Sequence, residues 1–452
     1  MPVKKKILLN AFNMNCVGHI NHGLWTHPRD DSTRYRSLSY WTDLARLLER
    51  GLFDSIFLAD IVGVYDVYQQ SVDLTLRESV QLPVNDPLLL VPAMAGVTRH
   101  LGFGVTSNLS YEPPYLFARR MSTLDHLTDG RAGWNIVTGY LDSAARAMGM
   151  DAQDEHDRRY DRADDYLELA YKLWEGSWED GAVRRDKAAR VFADPSQVHR
   201  IRHQGPYYRM EGYHLCEPSP QRTPVLFQAG ASGRGQQFAA RHAEGVFIMA
   251  QDKESTRKTV DGLREQAVRA GRRPEDVKIF MGLAVVVDRT ARAAQEKFEE
   301  YWRYASPEAG LAHFASSVGV DFSRYGLDDP VDYGASNGIQ SVANNARAGA
   351  MTKRRLLERF RLGSRYPTVV GDAAAVADEL ESWVEQTGID GFNLSRTVTP
   401  ESYADFIDLV IPELQSRGAY KTAYEEGAFR HKLFGQGDRL PARHAAAAYR
   451  HD

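Results

Sequence analysis

The feature of this sequence that most constrains its fold is the alternation of short apolar runs with longer amphipathic segments. Short runs rich in branched and aromatic residues favour β-strands, and apolar residues three and four apart favour helices. Strands that alternate with helices indicate βαβ units and a parallel sheet. The predicted strands lie at about 7–12, 53–60, 101–108, 132–137, 224–228, 245–249, 277–287 and 391–394.

A helical pattern follows each of these eight predicted strands, which matches a closed barrel better than an open, doubly wound sheet. We therefore predict an α/β fold of the (β/α)8 type, a TIM barrel with insertions. The barrel should occupy residues 1–418 as a single domain, with a polar C-terminal tail at 419–452. Two insertions are predicted: a β-hairpin at about 190–215, and a lid-like subdomain at about 290–368 that is too long for a connection.

Composition argues against several classes of protein. The net charge of the 452 residues is −4, with acids and bases mixed along the chain, so nothing indicates a nucleic-acid partner. Cys16 and Cys216 have neither metal-site nor disulfide spacing, which fits a reducing compartment. We find no signal-peptide pattern and no apolar run long enough to span a membrane. The expectation is a cytoplasmic protein without a membrane or nucleic-acid partner.

Polar residues stand at the carboxyl ends of several predicted strands, where barrel enzymes place their active sites. Asp60 ends the second strand, Ser107 lies at the end of the third, and Asn135 lies near the end of the fourth. Buried polar groups need hydrogen-bond partners, so several of them at one rim indicate a ligand site. The alternative is a ring of hydrogen bonds that the side chains satisfy among themselves.

A glycine-rich segment follows the fifth predicted strand and opens a helix: residues 228–235 read Gln-Ala-Gly-Ala-Ser-Gly-Arg-Gly. Small residues let the backbone approach an anion, and a helix N-terminus offers free N–H groups. Ser232 could donate its hydroxyl and Arg234 could supply a charge. A phosphate site is one interpretation and a tight strand-to-helix turn is the other. The segment is not a Walker loop, because no Gly-Lys-Ser/Thr occurs in it.

A second charged cluster, residues 155–162, begins the helix after the fourth strand. Two arginines and Tyr160 stand at this helix start, a combination that suits a phosphate. A solvated helix entry with salt bridges is the alternative. The two segments support one phosphate site only if the fold makes them neighbours, as adjacent loops of a barrel would be.

The loop after the first strand contains His19, His22 and His27 together with Trp25. Their spacing is not a reliable metal signature and no carboxylate accompanies them, so we predict no metal site. Polar and aromatic lining of a pocket mouth is the favoured interpretation, with Phe12 and Trp25 as candidate substrate contacts. The chain also lacks the Gly-x-Ser-x-Gly elbow of serine hydrolases and a dinucleotide fingerprint after its first strand.

In combination, several stretches resemble the bacterial-luciferase-like monooxygenases. More narrowly, they look like the group that contains nitrilotriacetate, dibenzothiophene-sulfone and dimethyl-sulfide monooxygenases. The stretches that carry the resemblance are 49–60, 122–131, 133–138, 155–164, 192–195 and 228–235. Within the group, residues 9–12, 62–68, 83–87 and 216–224 are most similar to the dimethyl-sulfide enzymes. The resemblance extends to about Gly418.

The resemblance implies the oxygenase component of a two-component monooxygenase, which takes FMN as FMNH2 from a separate NADH:FMN reductase. Dioxygen would convert this flavin to a C4a-(hydro)peroxyflavin that oxygenates a small apolar substrate, either an organosulfur compound or a halogenated aromatic. Members of the family form dimers or tetramers, so we expect a homodimer or homotetramer. A deazaflavin-dependent oxidoreductase of the same superfamily fold is the alternative.

The family pattern also implies roles for individual residues. The flavin ring side would be lined by Asp60, Ser107, Asn135 and Val137. The ribityl chain and phosphate would be held by His156, Tyr160, Ala231 and Ser232.

One departure from the family concerns the catalytic histidine that several relatives carry in the insertion, just before a Thr-Gly-Ile/Val segment. The matching residues here, 316–320, read Ser-Ser-Val-Gly-Val, so a serine stands in the histidine's place. His313 lies one helical turn earlier and would face the same way in a helix. It is the candidate acid–base residue, and a histidine without a catalytic role is the alternative.

Overall fold

Eight parallel strands form a closed barrel in the computed structural model, which describes residues 4–230, 232–249, 252–331, 351–362 and 366–451. Each strand pairs with its neighbour in the chain, and the last pairs with the first. The barrel strands are β1 Leu8–Met14, β2 Ser55–Ala59, β3 Gly102–Asn108, β4 Ala132–Val137, β5 Val225–Gln228, β6 Gly245–Ile248, β7 Lys278–Val287 and β8 Gly391–Ser395.

The predicted (β/α)8 fold is therefore confirmed, and each strand begins and ends within two residues of the predicted bounds. Closure occurs at β8, where Phe392 pairs with Leu9 of β1 on one side and Met281 of β7 on the other. A further short strand, Thr368–Gly371, pairs in parallel with the carboxyl half of β7 outside the barrel. Sequence analysis missed it because four residues at the end of a long insertion give little periodicity.

The helices that cover the outside of the barrel turn an apolar face towards it. In the first helix, five residues that recur at helical spacing are buried (Tyr40, Trp41, Leu44, Ala45 and Leu48). The α-helices of the described residues are α1 Leu38–Arg50, α2 Asp73–Arg77, α3 Val91–Ala95, α4 Pro114–Leu127, α5 Asp142–Ala147, α6 His156–Gly176, α7 Gly233–His242, α8 Lys253–Arg269, α9 Ala291–Tyr304, α10 Pro307–Val318, α11 Lys353–Arg359, α12 Ala373–Thr387, α13 Glu401–Asp405, α14 Ile411–Ser416 and α15 Phe429–Phe434. Among the described helices, none combines the length and apolar character needed to cross a membrane.

Two antiparallel hairpins lie between α6 and β5. The first pairs Val183–Asp186 with Val191–Ala193, and the second pairs Ile201–Gln204 with Arg209–Gly212. The second hairpin lies inside the predicted segment 190–215, whereas the first begins before it. Asp165 of α6 holds the second turn, because its carboxylate accepts hydrogen bonds from two consecutive backbone N–H groups, those of residues 207 and 208.

The insertion after β7 contributes α9, α10 and α11 above the carboxyl ends of the strands. Its helices have a small apolar core of their own, in which Phe314 of α10 stacks on Phe322 and Phe360. This core also includes Tyr68 and Leu74 from the long loop after β2. Residues 332–350 and 363–365 of the predicted lid segment 290–368 lie outside the described residues.

The segment after residue 418 packs against the amino end of the barrel. The Arg430 side chain is buried and donates two hydrogen bonds to the carboxylate of Glu244, at 2.6 and 2.9 Å. It also donates to the backbone carbonyls of Thr223 and Pro224, just before β5. The neighbouring Phe429 ring contacts the barrel core, where it would collide with a side chain at Gly102. This segment therefore closes the end of the barrel opposite the active-site rim.

We predict that Arg430→Ala destabilises the protein by about 3–5 kcal/mol, because it leaves the Glu244 carboxylate buried and unpaired. Urea unfolding followed by circular dichroism measures the change. Arg99→Ala is the matched control, since the Arg99–Glu426 pair has both side chains 79% exposed, and such a pair contributes about 0–1 kcal/mol. Equal losses of unfolding free energy in the two variants would contradict the role assigned to Arg430.

Candidate active site

A pocket opens at the carboxyl ends of β2, β3, β4 and β5, the side of the barrel where active sites form. Its walls come from these strand ends, from the loops that follow them and from the first turns of α6 and α7. The lining residues are Asp60, Ile61, Val62, Thr106, Asn108, Ile136, Val137, Thr138, Gly139, Tyr140, His156, Arg159, Tyr160, Gln228, Ala229, Gly230, Ser232 and Phe238. Five residues predicted from the sequence are among them: Asp60, Val137, His156, Tyr160 and Ser232.

Two helix N-termini converge at one end of this pocket. α6 begins at His156 and α7 begins directly after Ser232. The Ser232 hydroxyl accepts a hydrogen bond from the Gly235 N–H at 3.0 Å, and it lies 3.2 Å from Nε2 of His156. Helix N-termini present free N–H groups and the positive end of the helix dipole. The fold therefore makes the two predicted phosphate-binding segments neighbours, and their meeting point suits an anion.

The backbone at this end can approach a ligand closely because Gly230 has no side chain. A Cβ atom there would collide with the Gln228 amide and would lie 2.7 Å from the Tyr160 hydroxyl. The Tyr160 hydroxyl accepts a hydrogen bond from the Gln228 amide at 3.2 Å, and burial raises the pKa of Tyr160. The phenol is therefore protonated at neutral pH and can donate a hydrogen bond. Ala231, predicted to contact the phosphate, lies outside the described residues.

Two arginines near this end of the pocket, Arg159 and Arg234, differ in what they contact. Arg159, one of the arginines of the cluster 155–162, is buried and lines the pocket. Arg234, considered as a source of charge, donates hydrogen bonds to the carboxylates of Asp161 and Asp164 on α6. Arg234 therefore ties α7 to α6, and Arg159 is the arginine of α6 that lines the pocket.

The opposite end of the pocket combines apolar walls with a few polar groups from the strand ends. Burial raises the pKa of Asp60 to about 7, and the carboxylates of Asp86 and Glu112 contribute to the rise. A protonated Asp60 can donate a hydrogen bond, whereas an ionised one only accepts. This carboxyl group can therefore change its hydrogen-bonding role near neutral pH.

Ser107 and Asn135 lie beside the lining without being part of it. Strand alternation places Ser107 on the face of β3 opposite Thr106, which lines the pocket. Asn135 donates its amide hydrogen to the Thr106 hydroxyl at 2.9 Å. The Asn135 carbonyl oxygen is buried and has no hydrogen-bond partner within the described parts of the chain. Such an unsatisfied group next to a pocket fits a ligand that donates a hydrogen bond.

A second polar cluster, the histidine cluster, adjoins this pocket and contains His19 and His22 of the loop after β1 and His313 of α10. His22 and His313 are buried, with 3.1 Å between Nε2 of His22 and Nδ1 of His313. The Tyr65 ring lies 4.7 Å from the His313 ring, and its hydroxyl donates to the Gln81 amide oxygen at 2.7 Å. The Tyr65 hydroxyl is also 3.5 Å from the hydroxyl of Tyr140, which lines the pocket. His313 is thus connected to the pocket through two tyrosines.

The remaining predicted residues take different positions. Phe12 is buried against the ring of His19, with 4.4 Å between ring centroids. Burial holds the pKa of His19 well below its usual value, so this imidazole is neutral. Trp25 lines a separate small recess beside Arg396. Phe12 therefore lies beside the histidine cluster, whereas Trp25 lies elsewhere on the loop.

Sequence analysis did not single out Tyr65, Gln81 or Tyr140 as site residues. They come from separate positions in the loops after β2 and β4, and no local pattern marks them. Tyr65 lies in a stretch that carried the family resemblance, which was the single available signal.

The chain belongs to the luciferase-like monooxygenase family, which it matches over residues 20–391. It is 50% identical over 453 residues to the dimethyl-sulfide monooxygenase of Hyphomicrobium sulfonivorans, covering 99% of this chain and 94% of that protein. It is 53% identical over 447 residues to the long-chain alkane monooxygenase of Geobacillus thermodenitrificans, covering 99% and 98%. The crystal structure of a riboflavin lyase with modified FMN and riboflavin matches with a TM-score of 0.94 and 36% identity, covering 99% and 100%. The predicted family is confirmed, and the protein is a monooxygenase of a class that uses reduced flavin.

We predict that Asp60→Asn stabilises the ligand-free protein at pH 8 and has little effect at pH 4. Because the pKa of Asp60 is raised to about 7, the folded state holds its proton over a pH range in which the unfolded state has lost it. The stability of the wild type therefore falls as pH rises from about 4 to 7, by at most about 4 kcal/mol.

Urea unfolding at several pH values tests this dependence. The control is Asp43→Asn, whose side chain is 66% exposed. If the stability difference between Asp60→Asn and the wild type does not change with pH, the pKa of Asp60 is not raised as described.

Proposed function

We propose that this protein is the oxygenase component of a two-component monooxygenase, which uses FMNH2 and dioxygen to oxygenate a small apolar substrate. The observation that carries the proposal is the convergence of two helix N-termini on the glycine-lined end of a pocket whose other end is largely apolar. A phosphate at one end and a flat, mostly apolar ring at the other are the two chemical halves of FMN.

The residues present fit FMN. At the phosphate end, His156, Arg159, Tyr160 and Ser232 offer donors or positive charge, and Gly230 leaves room for the ligand. At the ring end, Asn135 has a buried carbonyl oxygen without a partner in the described residues, which could accept a ring N–H. The similarity to a riboflavin lyase whose crystal structure contains a modified FMN supports the same choice.

A bound reduced flavin would supply the electrons that activate dioxygen. The chain's own contribution is to hold that flavin and to keep water from it, since the cofactor carries the difficult chemistry. Ile61, Val62, Ile136, Val137 and Phe238 give the pocket its apolar walls. The cluster around His313 borders the same pocket and is where the substrate would meet the flavin.

We further propose that a separate NADH:FMN reductase supplies the flavin. The chain has no dinucleotide fingerprint after its first strand. One curated relative is itself designated component A of nitrilotriacetate monooxygenase. Both observations fit an oxygenase that receives reduced flavin from an external source.

The substrate should be neutral and small. The neutral His19 imidazole of the histidine cluster packs on Phe12, and the walls of the adjoining pocket are largely apolar. A dialkyl sulfide and an alkane are the substrates named by the two relatives with about half of their residues identical to this chain. A dialkyl sulfide is our first choice, and halogenated aromatics remain candidates. His313 is our candidate acid–base residue, and its proximity to Tyr65 and Tyr140 supports that choice.

Product analysis tests the proposal. The purified protein is combined with an NADH:FMN reductase, FMN and dioxygen, and is offered dimethyl sulfide, n-alkanes, dibenzothiophene sulfone and chlorinated phenols. We expect one class to yield an oxygenated product that depends on the protein. Flavin autoxidation without product from any of them would contradict the proposal, and tighter binding of a reduced deazaflavin than of FMNH2 would favour a deazaflavin enzyme.

We predict that Ser232→Asp weakens FMN binding by at least about tenfold, because it places a negative charge beside the phosphate. Binding of riboflavin, which lacks the phosphate, should change little in the same variant. Fluorescence titration with both flavins measures the two affinities. Ser37→Asp, a similar change at the start of α1 and remote from the pocket, is the control. Unchanged FMN affinity in Ser232→Asp would show that the glycine-rich loop is only a turn.

A further inference from the structure

The histidine pair beside the flavin pocket joins two parts of the chain that are 291 residues apart. His22 belongs to the loop after β1, and His313 belongs to α10 of the insertion. Both rings are buried, they meet edge to face, and their nitrogens are 3.1 Å apart. Burying two imidazoles is costly unless they are hydrogen-bonded, and this contact provides such a bond.

The backbone of His22 is fixed to the same helix. Its carbonyl oxygen accepts a hydrogen bond at 2.9 Å from the N–H of Ser306, the residue that caps α10. The next residue, Gly23, has a φ of 88° and packs so closely on the backbone of Ser306 that no Cβ atom would fit. His22 is therefore held at two points relative to α10, one at the start of the helix and one at the His313 ring.

This arrangement has a chemical consequence for His313. A neutral imidazole has one nitrogen that donates and one that accepts, and the hydrogen bond at one nitrogen sets the role of the other. Because His22 is the hydrogen-bond partner of Nδ1 of His313, the other nitrogen, Nε2, takes the opposite donor or acceptor role in the neutral ring. The Tyr65 ring, 4.7 Å away, packs against another side of the His313 ring and restricts its rotation.

We propose that His22 is a positioning residue that fixes the ring orientation and the tautomer of His313 beside the flavin pocket. The catalytic consequence rests on the proposed monooxygenase function, whereas the tautomer of His313 is a property of the protein alone. In metal enzymes, removal of the partner that orients a ligating histidine commonly costs about 10- to 100-fold in affinity or activity, and we expect an effect of that size here. If the His22–His313 contact were purely structural, its loss would change the stability of the protein but not the tautomer of His313.

Two substitutions separate these roles. His22→Gln places an amide near the position of the imidazole Nε2 and can keep a hydrogen bond to His313. His22→Leu has a similar volume and cannot form that bond. His27→Gln is the matched control, because His27 is buried in the same loop but lies 3.2 Å from Glu300 of α9 and not next to His313.

The first measurement needs no substrate. The full chain is labelled with 15N-histidine, and the ring nitrogens of His313 are assigned from the signals lost in His313→Gln. We expect one tautomer of His313 in the wild type, in His22→Gln and in His27→Gln, and a change of the ring-nitrogen shifts in His22→Leu. Identical His313 shifts in the wild type and a folded His22→Leu would overturn the proposal.

The second measurement uses FMNH2 and whichever panel compound the wild type oxygenates. We expect His22→Leu to lower kcat by about 10- to 100-fold, with KM and FMN affinity within about threefold of the wild type, and His22→Gln to recover most of kcat. Equal losses in both variants, or unchanged kcat in His22→Leu, would overturn the catalytic part. If the wild type oxygenates nothing, the proposed function fails, and the tautomer measurement still decides the role of His22.

Discussion

The closure of the barrel at β8 is the constraint on which the rest of the structure depends. β8 pairs with β1 and β7 at once, so the sheet has no open edge there and every barrel strand points the same way. Parallel strands in a closed barrel bring all their carboxyl ends to one rim. The polar ends of β2, β3 and β4 therefore meet the loop after β5, although they are far apart in the chain. The two helix N-termini converge for the same reason, since α6 and α7 follow adjacent strands.

At the amino end of the barrel, a buried ion pair makes the charged segment after residue 418 part of the fold. Arg430 and Glu244 are 186 residues apart, and each is buried against the other. A buried ion pair is weak evidence of net stability, but removing one partner leaves the other uncompensated. This pair therefore holds the segment after residue 418 against the amino end of the barrel. This ion pair therefore lies at the end of the barrel away from the candidate active site.

The sequence was informative wherever one local pattern decides the structure. The barrel strands were predictable because a buried parallel strand is a short apolar run. The helix Pro114–Leu127 begins at a proline, a residue that favours the first helical turn. The glycine-rich segment and the cluster at His156 were recognisable as anion-binding patterns, but their contact depends on β4 and β5 being neighbours. Tyr65, Gln81 and Tyr140 could not be found, because their meeting depends on loop conformations that no local pattern specifies. Arg430 looked like part of a polar tail because the sequence does not show its partner.

These differences explain why the cofactor side of the site is easier to infer than the substrate side. The proposed cofactor end is built from helix starts and a glycine-rich loop, whose geometry follows from hydrogen bonding of the backbone. The histidine cluster is built from side chains of the β1 loop, the β2 loop and α10, so a change in any one of them can reshape it. Two relatives at 50% and 53% identity are named for a sulfide and for a long-chain alkane. Such a divergence fits our proposals that flavin binding depends on the barrel rim and that substrate choice depends on a few tertiary contacts around His313.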